Sequence, residues 1–245
     1  MDTTLAAGFA AAFFAGVTQG LTGFGSAIVF VSFMVLFMDP KDVVPVMLFL
    51  ALAINMLVIV EARRHVQLQR IWPLMAAGAC GLWPGRELLV YLPTPVLKAG
   101  IGAIITVFAL LLMSGWRRTI RNERAASVAV GFFSGFFNAG AGMSGPPVIL
   151  FFSNQNMPKD VFRANIVAYF LVLNACSIVV FWSGGLITPV VLHRAGLFVI
   201  ALAAGGGVGI ALTKKLNEQV FKRIALGVVT VAGLLAVASG VRALL

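Results

Sequence analysis

Charge is scarce in this chain. Only 11% of its 245 residues are Asp, Glu, Lys or Arg, against roughly a quarter in soluble domains. Acidic side chains number eight, beside two histidines and two cysteines. Each shortage removes a class of function. No constellation of His, Cys or acidic residues lies in the apolar stretches, so an enzyme's acid–base pair or a metal site has nothing to be built from. Cys80 and Cys176 stand singly, without CxxC spacing, and read as small packing residues. His65 and His193 sit at the edges of apolar segments. No G-x-x-x-x-G-K-[ST] loop is present to hold ATP. The rarity of embedded carboxylates argues against a carboxylate proton relay or a carboxylate sodium site, while backbone and amide ligands for a cation stay open. The N-terminus also lacks a basic n-region and an A-x-A cleavage site, so the first apolar segment is expected to be retained. No enzyme activity, cofactor or metal is expected.

What fills the chain instead is apolar surface. Sixty per cent of the residues are hydrophobic, more than one soluble core of this size can hide. Residues 43–60, 99–116, 164–182 and 195–213 carry no charged side chain, and each comes near the ~20 residues that cross ~30 Å of hydrocarbon. The fold class is an all-α integral membrane protein. A net charge of +10 raises nucleic-acid binding. The basic residues, however, fall in short gaps between apolar runs, where the positive-inside rule places them. The expected partner is the bilayer, not nucleic acid.

The chain also contains itself twice. FFAGVTQGLTGFGSAIV from Phe13 matches FFSGFFNAGAGMSGPPV from Phe132, Pro40-Lys41-Asp42-Val43 recurs as Pro158-Lys159-Asp160-Val161, and Asn55 recurs as Asn174. Gly81, Gly85 and Lys98 then align with Gly205, Gly209 and Lys222. An ordered series of matches reads as duplication, with repeats at 1–122 and 123–245. Each holds five apolar segments: 5–22, 26–38, 43–60, 71–92 and 96–115, then 127–139, 146–153, 162–183, 191–213 and 221–243. An odd number inverts the second copy. With loops 61–70, 116–124, 154–163 and 214–223 on the cytoplasmic side, 13 of the 18 Lys and Arg lie there. Both termini are then expected on the periplasmic side of an inner membrane.

The segments too short to span carry the functional signal. Residues 146–153 rise only ~12 Å as a helix and 26–38 about 20 Å. Each follows a glycine-rich turn, which predicts paired broken or re-entrant hairpins meeting near the midplane. Irregular backbone at that depth needs protein or a wet cavity around it. Two half-helix N-termini there would present unpaired N–H groups and partial positive charge to an anion. Pro146 fits the first turn of such a helix. The expected substrate-binding residues are Thr18, Gln19, Thr22, Gly23, Gly25 and Ser26 in the first copy. Asn138, Gly142, Ser144 and Gly145 are their counterparts in the second. Asn55 and Asn174, polar groups inside apolar helices, are either interhelical glue or lining of the same site. Arg86, beside Glu87, is a candidate gate; it could equally pair with Glu87 or snorkel to the interface. Lys41-Asp42 and Lys159-Asp160 are expected to cap the helices that follow. Gly81, Gly85 and the 205–209 run are expected to serve close helix packing.

On these residues the chain resembles the TauE/SafE family of sulfite exporters and toluene-sulfonate uptake permeases. The resemblance covers nearly the whole chain. It rests on Gly16, Gly20 and Gly23-Phe24-Gly25, on Gly131, Gly135, Gly140, Gly142 and Gly145-Pro146-Pro147, and on the repeated Pro-Lys-Asp-Val. It implies a multi-pass inner-membrane carrier for sulfur-containing anions such as sulfite or organosulfonates. The expected function is secondary transport of such a small anion by alternating access. The alternative is a carrier or channel for another small anion such as a short carboxylate. A coupling ion, H+ or Na+, and a homo-oligomeric assembly stay open at this stage.

Overall fold

The structure, a computed structural model, describes residues 3–113, 122–155 and 157–215. The tenth expected segment, 221–243, its Lys222 and most of loops 116–124 and 214–223 lie outside the described residues. Every regular element within them is helical: α1 (Thr3–Thr22), α2 (Ser26–Met34), α3 (Pro40–Ala62), a 3-10 turn (Arg63–His65), α4 (Leu68–Tyr91), α5 (Thr94–Met113), α6 (Glu123–Ala141), α7 (Gly145–Ser153), α8 (Lys159–Ser183) and α9 (Pro189–Lys215). Spans Thr3–Thr22, Pro40–His65, Lys159–Ser183 and Pro189–Thr213 are long and apolar enough to cross a membrane.

Two helix boundaries differ from the hydropathy reading by four residues, each for a local reason. α2 stops at Met34 rather than residue 38, because Asp39 must be extended ahead of Pro40 (ψ 137°) and the chain unwinds through a turn to reach it. α6 begins four residues early, since Asn122 caps it by accepting from Ala125 N–H at 3.1 Å. The caps of α3 and α8 are likewise displaced. Asp39 caps α3, accepting from Lys41 N–H at 2.8 Å, and Pro158 occupies the cap position of α8. Asp42 and Asp160 sit in the first turns instead, where a carboxylate complements the helix dipole.

Small residues set the packing. Gly16 lies on the Leu202 carbonyl, Gly20 on that of Gly206, Gly205 on that of Phe13 and Gly209 on that of Val17. Numbers rise together on both helices, so α1 and α9 run parallel in backbone contact. α4 and α6 do the same: Gly131 meets the Leu74 carbonyl, Gly135 that of Gly78, Gly81 that of Phe132 and Gly85 that of Phe136. Close approach of this kind is what small residues provide between membrane helices, where burial of apolar area supplies no drive.

Polar contacts sort by the end of the bundle. At one end Arg163 pairs with Glu61 (3.1 Å), Arg70 with Glu123 (2.6 Å), and Lys159 Nζ donates to the Thr213 carbonyl (3.4 Å). At the other, Arg194 pairs with Asp42 (3.3 Å), Thr94 donates to Asp39 (2.6 Å) and Lys41 Nζ to the Val90 carbonyl (2.9 Å). α3 therefore runs antiparallel to α8. The chain of α1 and α2 starts beside Phe198, early in α9, and ends at Asp39, so it leaves the bundle by the end it entered. α6 and α7 start and finish at the opposite end, between Glu123 and Lys159. Both hairpins turn inside the bundle. α2 and α7 have nine residues each, about 13 Å of helix. Large side chains such as Phe14, Trp72, Trp182 and Ile200 point outward and stay more than half exposed.

Candidate anion site between the hairpin tips

Backbone chemistry makes the two turns. Gly23 (φ 83°) and Gly25 (φ 92°) take left-handed conformations that a Cβ disfavours, and Gly142 (φ 70°) ends α6 the same way. Thr22 and Thr18 brace the first turn from behind: the Thr22 hydroxyl lies 2.8 Å from the Thr18 carbonyl and 2.6 Å from that of Phe24, and accepts from Phe24 N–H. In the second turn the Ser134 hydroxyl donates to the Ser144 carbonyl at 2.7 Å.

A buried amide then ties each hairpin to a long helix. Gln19 Nε2 donates to Asn55 Oδ1 at 2.6 Å and to the Gly23 carbonyl at 3.1 Å. Asn138 Nδ2 donates to Asn174 Oδ1 at 3.3 Å and to Ser177 Oγ at 2.8 Å. Both amide pairs join residues 36 apart in sequence. All four amides are at most 2% exposed, so each donor and acceptor must be matched from within.

These groups surround one small cavity. Gln19, Gly25, Ser26, Asn55, Asn138, Gly142, Ser144, Gly145 and Asn174 line it. Nine of the expected binding residues thus converge. Thr18, Thr22 and Gly23 do not line it and support the first turn instead. Arg86 lies elsewhere, paired with Glu87 near the end of α4, over the Trp83 ring and against Gly184. The apolar wall, including Met47, Ala51 and Phe170, went unread in the sequence because nothing distinguishes it from other apolar positions in α3 and α8. Ser177 was missed too. Its position three residues after Asn174, on the same helix face, was the available signal.

Electrostatically the cavity is neutral in side chains and positive in backbone. No charged side chain lines it, yet the first residues of both α2 and α7 do, bringing two helix N-termini to one place. They are not equal. Pro146 and Pro147 strip two N–H groups from the first turn of α7, whereas α2 opens on Ser26, Ala27 and Ile28 with all of theirs. Gln19 Oε1 presently takes the α2 terminus, accepting from Ser26 N–H at 3.3 Å and from Ser26 Oγ at 2.9 Å. A side-chain carbonyl oxygen stands where the helix would hold an anion's oxygen. The cavity measures about 20 Å³, room for roughly one water.

Sulfite exporter TauE/SafE, as a family, matches residues 8–236. The chain belongs to the TauE/SafE family. Its members are membrane transporters, and the helices able to cross a bilayer accord with that. No curated protein and no solved structure matches the chain. Within this TauE/SafE protein, the cavity between the two half-helices is lined by residues of both turns and by no charged side chain.

Proposed function

We propose that this TauE/SafE protein is a secondary transporter of a small sulfur oxyanion or organosulfonate, such as sulfite, working by alternating access in the inner membrane. The observation that carries the reading is the meeting of two half-helix N-termini and four buried amides around one cavity without a fixed charge. Backbone N–H groups and amides bind oxyanion oxygens by charge-assisted hydrogen bonds. A lysine or arginine there would hold the cargo more tightly and slow its release.

Binding on this scheme displaces Gln19 Oε1 from the α2 terminus, and the freed Ser26 N–H and hydroxyl take an anion oxygen. Gln19 stays tied to Asn55 and Asn138 to Asn174, so cargo at the tips bears on α3 and α8 together. Repeats 1–122 and 123–245 serve as the two inverted halves. Three features support inversion: sequence-matched α3 and α8 run antiparallel, each first helix packs along the fourth helix of the other half, and the two amide pairs correspond. Both termini then lie on the periplasmic side, with the Glu61–Arg163 end in the cytoplasm.

A screen of purified protein against sulfite, sulfate, thiosulfate, methanesulfonate and acetate, by thermal shift and by liposome flux, tests the cargo. Stabilisation and saturable flux are expected for sulfite or a sulfonate. A response to acetate alone would discard the sulfur assignment in favour of a short carboxylate, and a non-saturating conductance would make the protein a channel.

A further inference from the structure

A second, larger cavity of about 280 Å³ opens at the end of the bundle where α3 and α9 finish and α8 begins. Its chemistry is the reverse of the central one. Glu61, His65, Lys159, Asp160, Arg163 and Thr213 line it, and α8 starts there without a side-chain cap. Arg163 is its centre, only 5% exposed. Nη1 donates to Glu61 Oε2 at 3.1 Å and Nη2 to the Gly20 carbonyl at 2.8 Å, while the buried Nε–H has no acceptor among the described residues. The Thr213 hydroxyl also reaches the Gly20 carbonyl (3.2 Å) and that of Leu21 (2.9 Å). Behind them the Gly23 turn rests on the arginine stem: a Cβ at Gly23 would sit 2.9 Å from Arg163 Cγ. Gln19 faces the central cavity and its neighbour Gly20 is held from the outer one, so a single turn of chain separates the two.

A plain structural role would leave the arginine as a clamp on the C-terminal end of α1. The other half of the molecule argues against that being sufficient. There the matching turn at Gly142 rests on Val31 and Val44, with no charge, so the hairpin architecture does not require a guanidinium. Burying one is costly unless its pairing serves a purpose, and a guanidinium fork is suited to planar or tetrahedral oxyanions.

We propose that this cavity is an outer oxyanion subsite on the route to the central site, with Arg163 as its ligand and as the latch of the first hairpin. The proposal rests on the transport reading above. An oxyanion entering the pocket competes with the Glu61 carboxylate and the Gly20 carbonyl for the same guanidinium. Its arrival loosens the end of α1 and with it Gln19, which opens the central cavity toward the incoming cargo. Glu61 limits occupancy by holding the arginine when no anion is there.

Alkylation of an Ala62→Cys variant, in a Cys80→Ala/Cys176→Ala background, reads the subsite directly, because Ala62 lines the pocket. Methanesulfonate serves as the probe, since it does not consume the alkylating reagent. Methanesulfonate is expected to slow labelling. The half-protecting concentration should rise about tenfold or more in Arg163→Gln, the loss of a charged hydrogen-bond partner. It should fall severalfold in Glu61→Gln, and stay within about twofold in Asn174→Ala, where the central site alone is impaired. Protection lost equally in Asn174→Ala and Arg163→Gln would overturn the subsite by reducing it to a reflection of central binding. Absence of protection in all variants would also overturn it, while saturable flux in the unsubstituted protein would still uphold the carrier. Should Arg163→Gln fail to fold, Glu61→Gln decides: labelling protection identical to the parent contradicts competition for the guanidinium.

Discussion

Gln19 sets the chemistry at the scale of single residues, because its two ends do different work. The NH2 end binds Asn55 and the turn; the carbonyl end occupies the α2 terminus. Truncating it removes the stand-in oxygen and the tie to α3 together. Asn174→Ala, which removes an amide lining the cavity, is expected to raise the KM for sulfite counterflow about tenfold or more, the worth of one hydrogen bond to a charged ligand. Gln19→Ala should therefore raise it by less, about threefold, because the lost tie to Asn55 is partly offset by removal of the competing oxygen. A KM within twofold of the parent in both variants would place the cargo elsewhere. Ser144→Ala should have a smaller effect, since α7 begins on residues poor in N–H donors. At this scale the sequence was informative where polarity stood out against an apolar run. Gln19, Asn55, Asn138 and Asn174 were legible for that reason. Met47, Ala51 and Phe170 were not, because an apolar residue facing a cavity and one facing lipid look alike in a sequence. Arg163 was legible only as one more basic loop residue, its burial being a tertiary fact.

Among the elements, the parallel pairs α1 with α9 and α4 with α6 depend on backbone contact. A Cβ at Gly135 would collide with the Gly78 carbonyl and one at Gly81 with the Phe132 carbonyl. Backbone cannot step aside as a side-chain tip can, so either alanine forces the helices apart. Each is expected to destabilise the protein by about 1–3 kcal/mol, read as a lower melting temperature in detergent. Gly207 meets nothing within 4 Å, so Gly207→Ala should leave the melting temperature unchanged or slightly raised. Equal losses at Gly81, Gly135 and Gly207 would contradict the packing role. The glycine spacing and the two short helices could be read from the chain. The boundaries of α2 and α6 could not, because Asp39 and Asn122 set them through extended backbone and capping bonds rather than through hydropathy.

For the whole molecule, the proposed inversion of the two halves draws its support from which ends meet. The matching runs and the charge bias were visible in the sequence, but the packing of α1 on α9 and of α4 on α6 depends on contacts far apart in the chain. The proposed topology puts the Arg63–His65 turn in the cytoplasm and Ser183 outside. An impermeant thiol reagent applied to intact cells should label Ser183→Cys and spare Arg64→Cys. The reverse pattern would turn the molecule over and exchange the sides of its two cavities. Transport itself is tested most directly by counterflow of radiolabelled sulfite into proteoliposomes preloaded with unlabelled sulfite. The carrier reading predicts transient accumulation of label above equilibrium, saturable with sulfite and much reduced in Asn174→Ala protein of unchanged melting temperature. Passive equilibration without overshoot, or overshoot of full size in Asn174→Ala, would contradict carriage of the anion through the cavity between the hairpin tips.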